Sequence, residues 1–271
     1  MRRMLGLLAT ALLTATVLTA VSPAVPAQGG TTVSTRLRAA VKDLPVRRET
    51  RRGYDRDRFR HWVDADGDCR DTRDEVLRAE SRVRVRGCDV RRGRWRSYYD
   101  GRIWRSSGDV DIDHLVALAE AWDSGARRWN RRTRQRFAND LGDRRSLVAV
   151  TDNVNQSKSD QDPAEWQPRL GKCRYLREWT AVKIRWSLKV DRAEKRALVR
   201  RANRCTNTRL RVRKARVVLA GSGGGSGGGT DPRFGTCSEA IAHGYRDYVR
   251  GRDPEYDRYV DGDGDGVACE S

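Results

Sequence analysis

Histidine is nearly absent: the 271 residues contain three, His61, His114 and His243. No Cys-x-x-Cys pair occurs either, which leaves a structural zinc site without its usual ligands. Apolar residues are scarce, at 37% against 34% charged, so a modest core under a heavily charged surface is expected. After the first 27 residues no stretch is long and apolar enough to span a bilayer. Acidic charge is in the minority, with 37 Asp and Glu against 56 Lys and Arg, a balance of +19. That surplus favours polyanionic partners such as nucleic acid, anionic membrane or acidic wall polymer, although a bare bias toward arginine gives the same composition.

What is present begins with an address. Arg2 and Arg3 precede an apolar run from Leu5 to Val21, and Val25-Pro26-Ala27 supplies small residues before Gln28. Residues 1–27 therefore read as a signal peptide, with an uncleaved membrane anchor as the rival. Export makes the six cysteines candidates for disulfides. Nearest-neighbour pairing gives Cys69–Cys88, Cys173–Cys205 and Cys237–Cys269 and keeps each bridge inside one structural unit.

Gly221 to Gly229 reads GSGGGSGGG, a flexible coil, so a linker is expected over 216–230. It separates a main domain, 34–215, from a C-terminal module, 231–271, too short to bury a sufficient core without a disulfide or a metal. Patterning gives the main domain an α+β class. Helices are expected over Thr35–Leu44, Arg73–Glu80, Leu115–Trp122 and Cys173–Leu188, with Asp191 capping a last one through Cys205. Strands are expected around Val83 and Val85, at Val110–Asp113 and at Leu147–Val150, with a hairpin from Trp95 to Trp104 turning at Asp100-Gly101.

Two segments carry the chemistry, Asp111-Ile112-Asp113-His114 and Asn153-Val154-Asn155-Gln156-Ser157-Lys158. A strand ending in Asp-His, a second strand and an Asn that opens the next element resemble the ββα-metal (His-Me finger) core of HNH nucleases. Phosphodiester hydrolysis needs a base for water and charge neutralisation at the leaving oxygen. A neutral imidazole supplies the first and a hard divalent ion, Mg²⁺ or Mn²⁺, the second. On this reading His114 is the general base, Asp113 and Asn155 hold the metal, and Asp111 is an outer ligand on the same strand face. Lys158, one helical turn past Asn155, faces the scissile phosphate. The bland readings are a surface Asp-His hydrogen bond, a helix-capping Asn155 and a solvated Lys158. Arg127, Arg128, Arg131 and Arg132, with Arg134 and Arg136, lie between the two segments and suit phosphates without sequence preference. Trp129 among them reads as a core residue.

Longer strings extend the resemblance over roughly residues 35 to 206: DGDCRDTRDEVL (Asp66 to Leu77), DIDHLVALAEAWDSGA (Asp111 to Ala126), FANDLGDRRSLVAVTDNVNQSKSDQDPAEWQP (Phe137 to Pro168) and CRYLREWTAVKIRW (Cys173 to Trp186). They resemble secreted bacterial HNH endonucleases related to the C-terminal domain of GmrSD-type restriction enzymes. The resemblance implies the ββα-metal fold, endonuclease activity and the roles of His114 and Asn155. The Asp-x-Asp-His and Asn-x-x-Lys signature is also similar to the HNH domain of CRISPR effector nucleases. No later His completes the HNH triplet, so water, Asp113 or another carboxylate must finish the coordination.

The C-terminal module ends in Asp261-Gly-Asp263-Gly-Asp265-Gly266 and Glu270. Carboxylates at alternating positions followed by Gly open an EF-hand loop, and the chain stops before the usual final Glu. The module resembles the Excalibur extracellular calcium-binding domain, which implies Ca²⁺ at Asp261, Asp263, Asp265 and Glu270. Asp64-Ala-Asp66-Gly-Asp68-Cys69 is a weaker copy, with Glu75 at the final position. A disulfide-braced acidic turn before the next helix explains it equally well. The expected function is a secreted, monomeric, metal-dependent endonuclease acting on nucleic acid, foremost DNA. The alternative is a non-catalytic, calcium-dependent binder of DNA or cell-wall polyanion at the cell surface.

Overall fold

In a computed structural model the described residues are 31–220, 233–242, 245, 248–251, 253, 255–262, 264 and 266–269. The expected signal peptide and most of the Gly/Ser linker lie outside them. No helix among the described residues is long and apolar enough to cross a membrane.

The main domain is a mixed α+β unit of short helices and two-stranded sheets. Strand β1 (Thr32–Arg36) leads into α1 (Leu37–Asp43) and pairs antiparallel with β6 (Arg209–Arg213), so the chain ends of the domain close on each other. The expected helix from Thr35 therefore starts at Leu37, because Thr35 and Arg36 are held in the β1–β6 ladder. Helix α2 (Thr72–Glu80) begins where Asp71 accepts a hydrogen bond from the Asp74 amide. The hairpin is present as β2 (Arg92–Arg96) and β3 (Ile103–Ser106), and Gly101 at its turn has φ +84°. The strand expected at Val83 and Val85 does not form. Those residues lie in the irregular stretch leading to Cys88, bridged to Cys69, and Val83 is exposed.

Strands β4 (Val110–His114) and β5 (Leu147–Thr151) form the sheet that positions the site, and α5 (Asp152–Lys158) follows β5 without a loop. Between them lie α3 (Leu118–Asp123) and α4 (Arg131–Ala138), the latter capped by Asn130. Leu115 to Ala117, expected as helix, instead bend between the end of β4 and the start of α3. Every residue of β5 is buried, as its β-branched run requires. Its two faces serve two cores. Leu147 and Ala149 join Val110, Ile112, Val76, Leu77 and Trp95, whereas Val148 and Val150 face the larger core around Leu37, Leu115, Trp179 and Trp186.

Helices α6 (Lys172–Arg185) and α7 (Arg192–Ala202) cross that larger core and are tied by Cys173–Cys205. Asp191 caps α7 by accepting from the Glu194 amide. The segment before β5 is anchored by buried Asp140. It accepts from Arg185 at 2.6 and 2.7 Å, from the Trp186 indole at 2.9 Å and from the Ser146 hydroxyl at 2.6 Å. Past β6 the chain stays on the domain: Val217 packs on the core and Leu219 bridges Trp129, which is buried. The C-terminal module holds α8 (Cys237–Ala242), a small ladder of β7 (Tyr248–Val249) with β8 (Val267–Ala268), and the bridge Cys237–Cys269. Its core is little more than Tyr248, Tyr256, Ala268 and the bridge itself.

Candidate functional site

Alternation along β4 sends Asp111 and Asp113 to one face and Ile112 and His114 to the other. On the first face, α5 returns Asn155 and Lys158 to the strand. Asn155 Nδ2 donates to Asp111 Oδ2 at 3.2 Å, and both residues are half-buried. Behind them, fully buried Lys158 donates to Asp113 Oδ1 at 2.8 Å and to the His114 carbonyl at 3.3 Å. The Tyr99 hydroxyl donates to Asp113 Oδ2 at 2.5 Å. Burial raises the Asp113 carboxyl while the Lys158 ammonium pulls it back.

Two expectations change here. Lys158 points inward and neutralises Asp113 instead of facing a phosphate. Asp113, with an ammonium and a phenol on its two oxygens, is a poorer cation ligand than Asp111, which was expected only as an outer one. A carboxylate beside an amide is a hard-oxygen donor pair that fits Mg²⁺ or Mn²⁺. Nitrogen and oxygen of an Asn amide differ only by a half-turn of the group, and that half-turn presents Oδ1 beside Asp111.

His114 occupies different surroundings. Its Nε2 lies 2.8 Å from the Ala138 carbonyl, which can only accept, so Nε2 carries the proton and Nδ1 the lone pair. The ring packs against Trp62 at 5.3 Å and His61 at 6.2 Å between centroids. Burial pushes its pKa down to about 3, partly offset by the Ala138 hydrogen bond. The imidazole is therefore neutral at pH 7. Among the described residues no hydrogen bond joins it to Asp111, Asp113 or Asn155. The strand end thus places Asp111 and Asp113 on one face and His114 on the other.

Sequence reasoning missed Tyr99, Trp62 and the packing of His61 against His114. The hairpin holding Tyr99 carries no chemical motif, and His61-Trp62 meets His114 only through tertiary packing. Trp62 has φ +58°, a left-handed backbone rare for a bulky residue, so packing holds it against the His114 ring. Arg127 and Arg128 are exposed and line a cleft of about 210 Å³ with Arg47, Arg48, Lys189 and Trp129. Arg131 and Arg132 begin α4, half-buried and exposed.

In the C-terminal module Asp261 organises its loop. It accepts from the Gly264 and Gly266 amides at 2.8 and 2.9 Å and from the Tyr256 hydroxyl at 2.6 Å. Asp263, Asp265 and Glu270 lie outside the described residues. In the upstream loop, oxygens of Asp64, Asp66 and Asp68 lie within 4.8 Å of one another. Asp64 accepts from the Gly67 and Cys69 amides, and Glu75 lies within ion-pair reach of Arg70 and Arg78. The α2 cap is Asp71, outside this trio.

Residues 70–201 match the family of GmrSD restriction endonucleases, C-terminal domain. Residues 234–270 match the Excalibur calcium-binding domain. An uncharacterized secreted protein of Arthroderma benhamiae is 49% identical over 157 residues, covering 56% of this chain and 76% of that protein. That relative is fungal, so the bacterial origin attached to the resemblance does not follow. No solved structure matches the chain.

Proposed function

Because the chain belongs to the family of this secreted Arthroderma protein and carries the GmrSD-type C-terminal domain, we propose that it is a secreted, metal-dependent endonuclease of the HNH type with a calcium-binding C-terminal module. The ββα-metal unit is β4, β5 and α5. The observation that carries the reading is the meeting of Asp111 and Asn155 at 3.2 Å across 44 residues of sequence, on the strand that ends in His114.

In this reading Asp111 and Asn155 hold one Mg²⁺ or Mn²⁺ ion, which when bound neutralises charge at the leaving oxygen. His114 accepts the proton of the attacking water at Nδ1, its tautomer fixed by the Ala138 carbonyl, and to do so its ring turns from the opposite face of β4 toward Asp111 and Asn155. Desolvation by the surrounding rings makes it a weak base in this arrangement, and solvation of the ring strengthens it. Lys158 and Tyr99 are positioning residues that lock Asp113, and through the His114 carbonyl the strand end, in place. Arg127 and Arg128, with Arg131 and Arg132 on α4, bind the phosphate backbone without reading sequence. In the module, Asp261, Asp263, Asp265 and Glu270 hold Ca²⁺.

The basic cleft also supports the second reading, a polyanion binder without turnover. Plasmid DNA and single-stranded RNA incubated with purified protein and Mg²⁺ or Mn²⁺ separate the two. Cleavage that stops with chelator and falls by at least about a hundredfold in His114→Ala, at unchanged fold, is expected. A gel shift without cleavage under every metal leaves only the binder.

A further inference from the structure

The β1–β6 ladder that closes the main domain has two unlike faces. Strand β6 alternates strictly, so Leu210 and Val212 are buried while Arg209, Arg211 and Arg213 are exposed. Strand β1 supplies their cross-strand partners: Arg36 opposite Arg209, Ser34 opposite Arg211 and Thr32 opposite Arg213. All three partners are exposed as well. The outer face of the ladder is therefore arginine and hydroxyl throughout, with no carboxylate in the register.

A solvated sheet face is the ordinary explanation of such a row, and two observations oppose it. Elsewhere arginines sit beside carboxylates, as Arg91 does beside Asp89, Arg145 beside Asp143 and Arg174 beside Glu178. Among the described residues none of Arg36, Arg209, Arg211 and Arg213 forms such a pair. Arg36 and Arg209 are moreover directly opposite each other, and like charges in that position destabilise a strand pair. Both are held on the ladder all the same. Arg36 Nη1 donates to the Asn207 carbonyl at 3.1 Å, and Arg209 Nη1 donates to the Ser34 hydroxyl at 3.3 Å. A bound polyanion removes the repulsion that water alone leaves in place.

Spacing selects among polyanions. Alternate residues of a strand lie about 6.5 Å apart, close to the separation of successive phosphates along one nucleic-acid strand. No large apolar residue is exposed on β1 or β6, so the face has nothing to insert into a lipid surface. The ladder also adjoins the sheet of the candidate site, because Arg145, just ahead of β5, donates to the Arg211 carbonyl at 3.1 Å.

We propose that the outer face of β1–β6 is a nucleic-acid surface separate from Arg127, Arg128, Arg131 and Arg132, on which Arg209, Arg211 and Arg213 each meet one phosphate of a single strand. Thr32 and Ser34 add hydroxyl donors to the same backbone, so the contact carries no sequence preference. The assignment rests on nucleic acid being the ligand, as in the reading above, and not on turnover.

Fluorescence anisotropy of a short labelled single-stranded DNA tests it, titrated with the full mature chain in chelator between about 50 and 200 mM salt. Each phosphate contact to a single strand contributes about 0.7 to the slope of log affinity against log salt. Arg209→Gln, Arg211→Gln and Arg213→Gln combined should lower that slope by about 2 and the affinity at about 50 mM salt by at least about tenfold. Arg82, Arg84 and Arg86 repeat the same sequence spacing, exposed, in an irregular stretch. Their combined change to Gln should lower the slope by less than about 1, because no strand sets their pitch. Arg211→Gln with Arg213→Gln should lower it by about 1.4 and serves if the ladder triple does not fold, since neither side chain makes a hydrogen bond among the described residues. An unchanged slope in the ladder variants, or equal losses in the two triples, overturns the site. So does a ladder triple that keeps DNA binding and loses only its binding to phosphatidylserine vesicles, which assigns the face to a membrane. A chain that binds through the ladder and cuts nothing sinks only the nuclease reading, and one that cuts with an unchanged slope sinks only the ladder.

Discussion

Two lysines of this chain are fully buried, and they are treated differently by their surroundings. Lys158 meets one carboxylate, Asp113, whose second oxygen is taken by Tyr99. Lys183 meets Glu120 and Glu194, with Glu49 close behind. The first centre is balanced and closed. The second is short of positive charge and opens onto an acidic cavity lined also by Asp123, Asp162 and Asp191. A buried ion pair is weak evidence for stability in itself, but removing one partner strands a charge in low dielectric. The balanced centre therefore serves as a fixed strut, whereas the unbalanced one is pushed toward holding protons on its carboxyl groups.

The largest expected effect breaks the unbalanced centre. Lys183→Met leaves Glu120 and Glu194 without their ammonium and should cost about 5 kcal/mol, the upper end of the range for a broken buried pair, read by urea unfolding at pH 7. Lys158→Met strands only Asp113 and should cost about 3 kcal/mol, the lower end of that range. If the two variants lose equal stability, the contrast between the centres is wrong. Lys158→Met also frees Asp113 as a ligand. Under the nuclease reading, its cleavage rate per folded molecule should then fall less than that of Asp111→Asn, a comparison that assay across Mg²⁺ concentrations resolves.

A smaller effect is the slope of stability with pH. Glu49 has a folded-state pKa near 8 against 4.5 ordinarily, chiefly from burial and then from Glu120. Burial pushes Glu120 and Glu194 up as well. A raised folded pKa means that the folded state binds the extra proton. The associated stability is complete below pH 4.5 and disappears as pH rises through about 8. In chelator the melting temperature should fall across that window. Glu49→Gln should flatten the fall. An equal slope in Glu49→Gln and the unaltered protein would show that Glu49 is not the titrating group.

The same contrast explains what the sequence made legible. The Lys158 centre is built from two short segments, and their motif spacing brought Asp111, Asp113, Asn155 and Lys158 together on paper. Periodicity located β4 and β5, turn chemistry located the hairpin at Gly101, and Asp191 announced α7. The direction of Lys158 was illegible, because helical spacing says which residues share a face and not whether that face is covered. Tyr99, on a hairpin outside the motif, shares Asp113 with the Lys158 ammonium. His114 was placed with the metal ligands because they are adjacent in sequence, yet adjacency in a strand puts side chains on opposite faces. The acidic cavity drew no attention at all. Glu49, Glu120, Asp162 and Glu194 come from four separate segments, each with an ordinary local explanation. The helix expected from Thr35 starts two residues late for a related reason: its first residues are claimed by a partner strand from the far end of the domain.

The finest comparison uses two helix caps. Asp71 caps α2 by accepting from the Asp74 amide, and Asp191 caps α7 by accepting from the Glu194 amide at 2.6 Å. Removing an Asp cap ordinarily costs about 1 kcal/mol. Asp71→Ala should show that cost. Asp191 also lines the acidic cavity and raises the Glu49 pKa by repulsion. Its removal loses a cap and at the same time relieves like charge. Asp191→Ala should therefore cost less than Asp71→Ala, and the gap should be widest above the Glu49 pKa of about 8, where Glu49 is ionised. Equal costs there would mean that Asp191 does not repel Glu49 across the cavity.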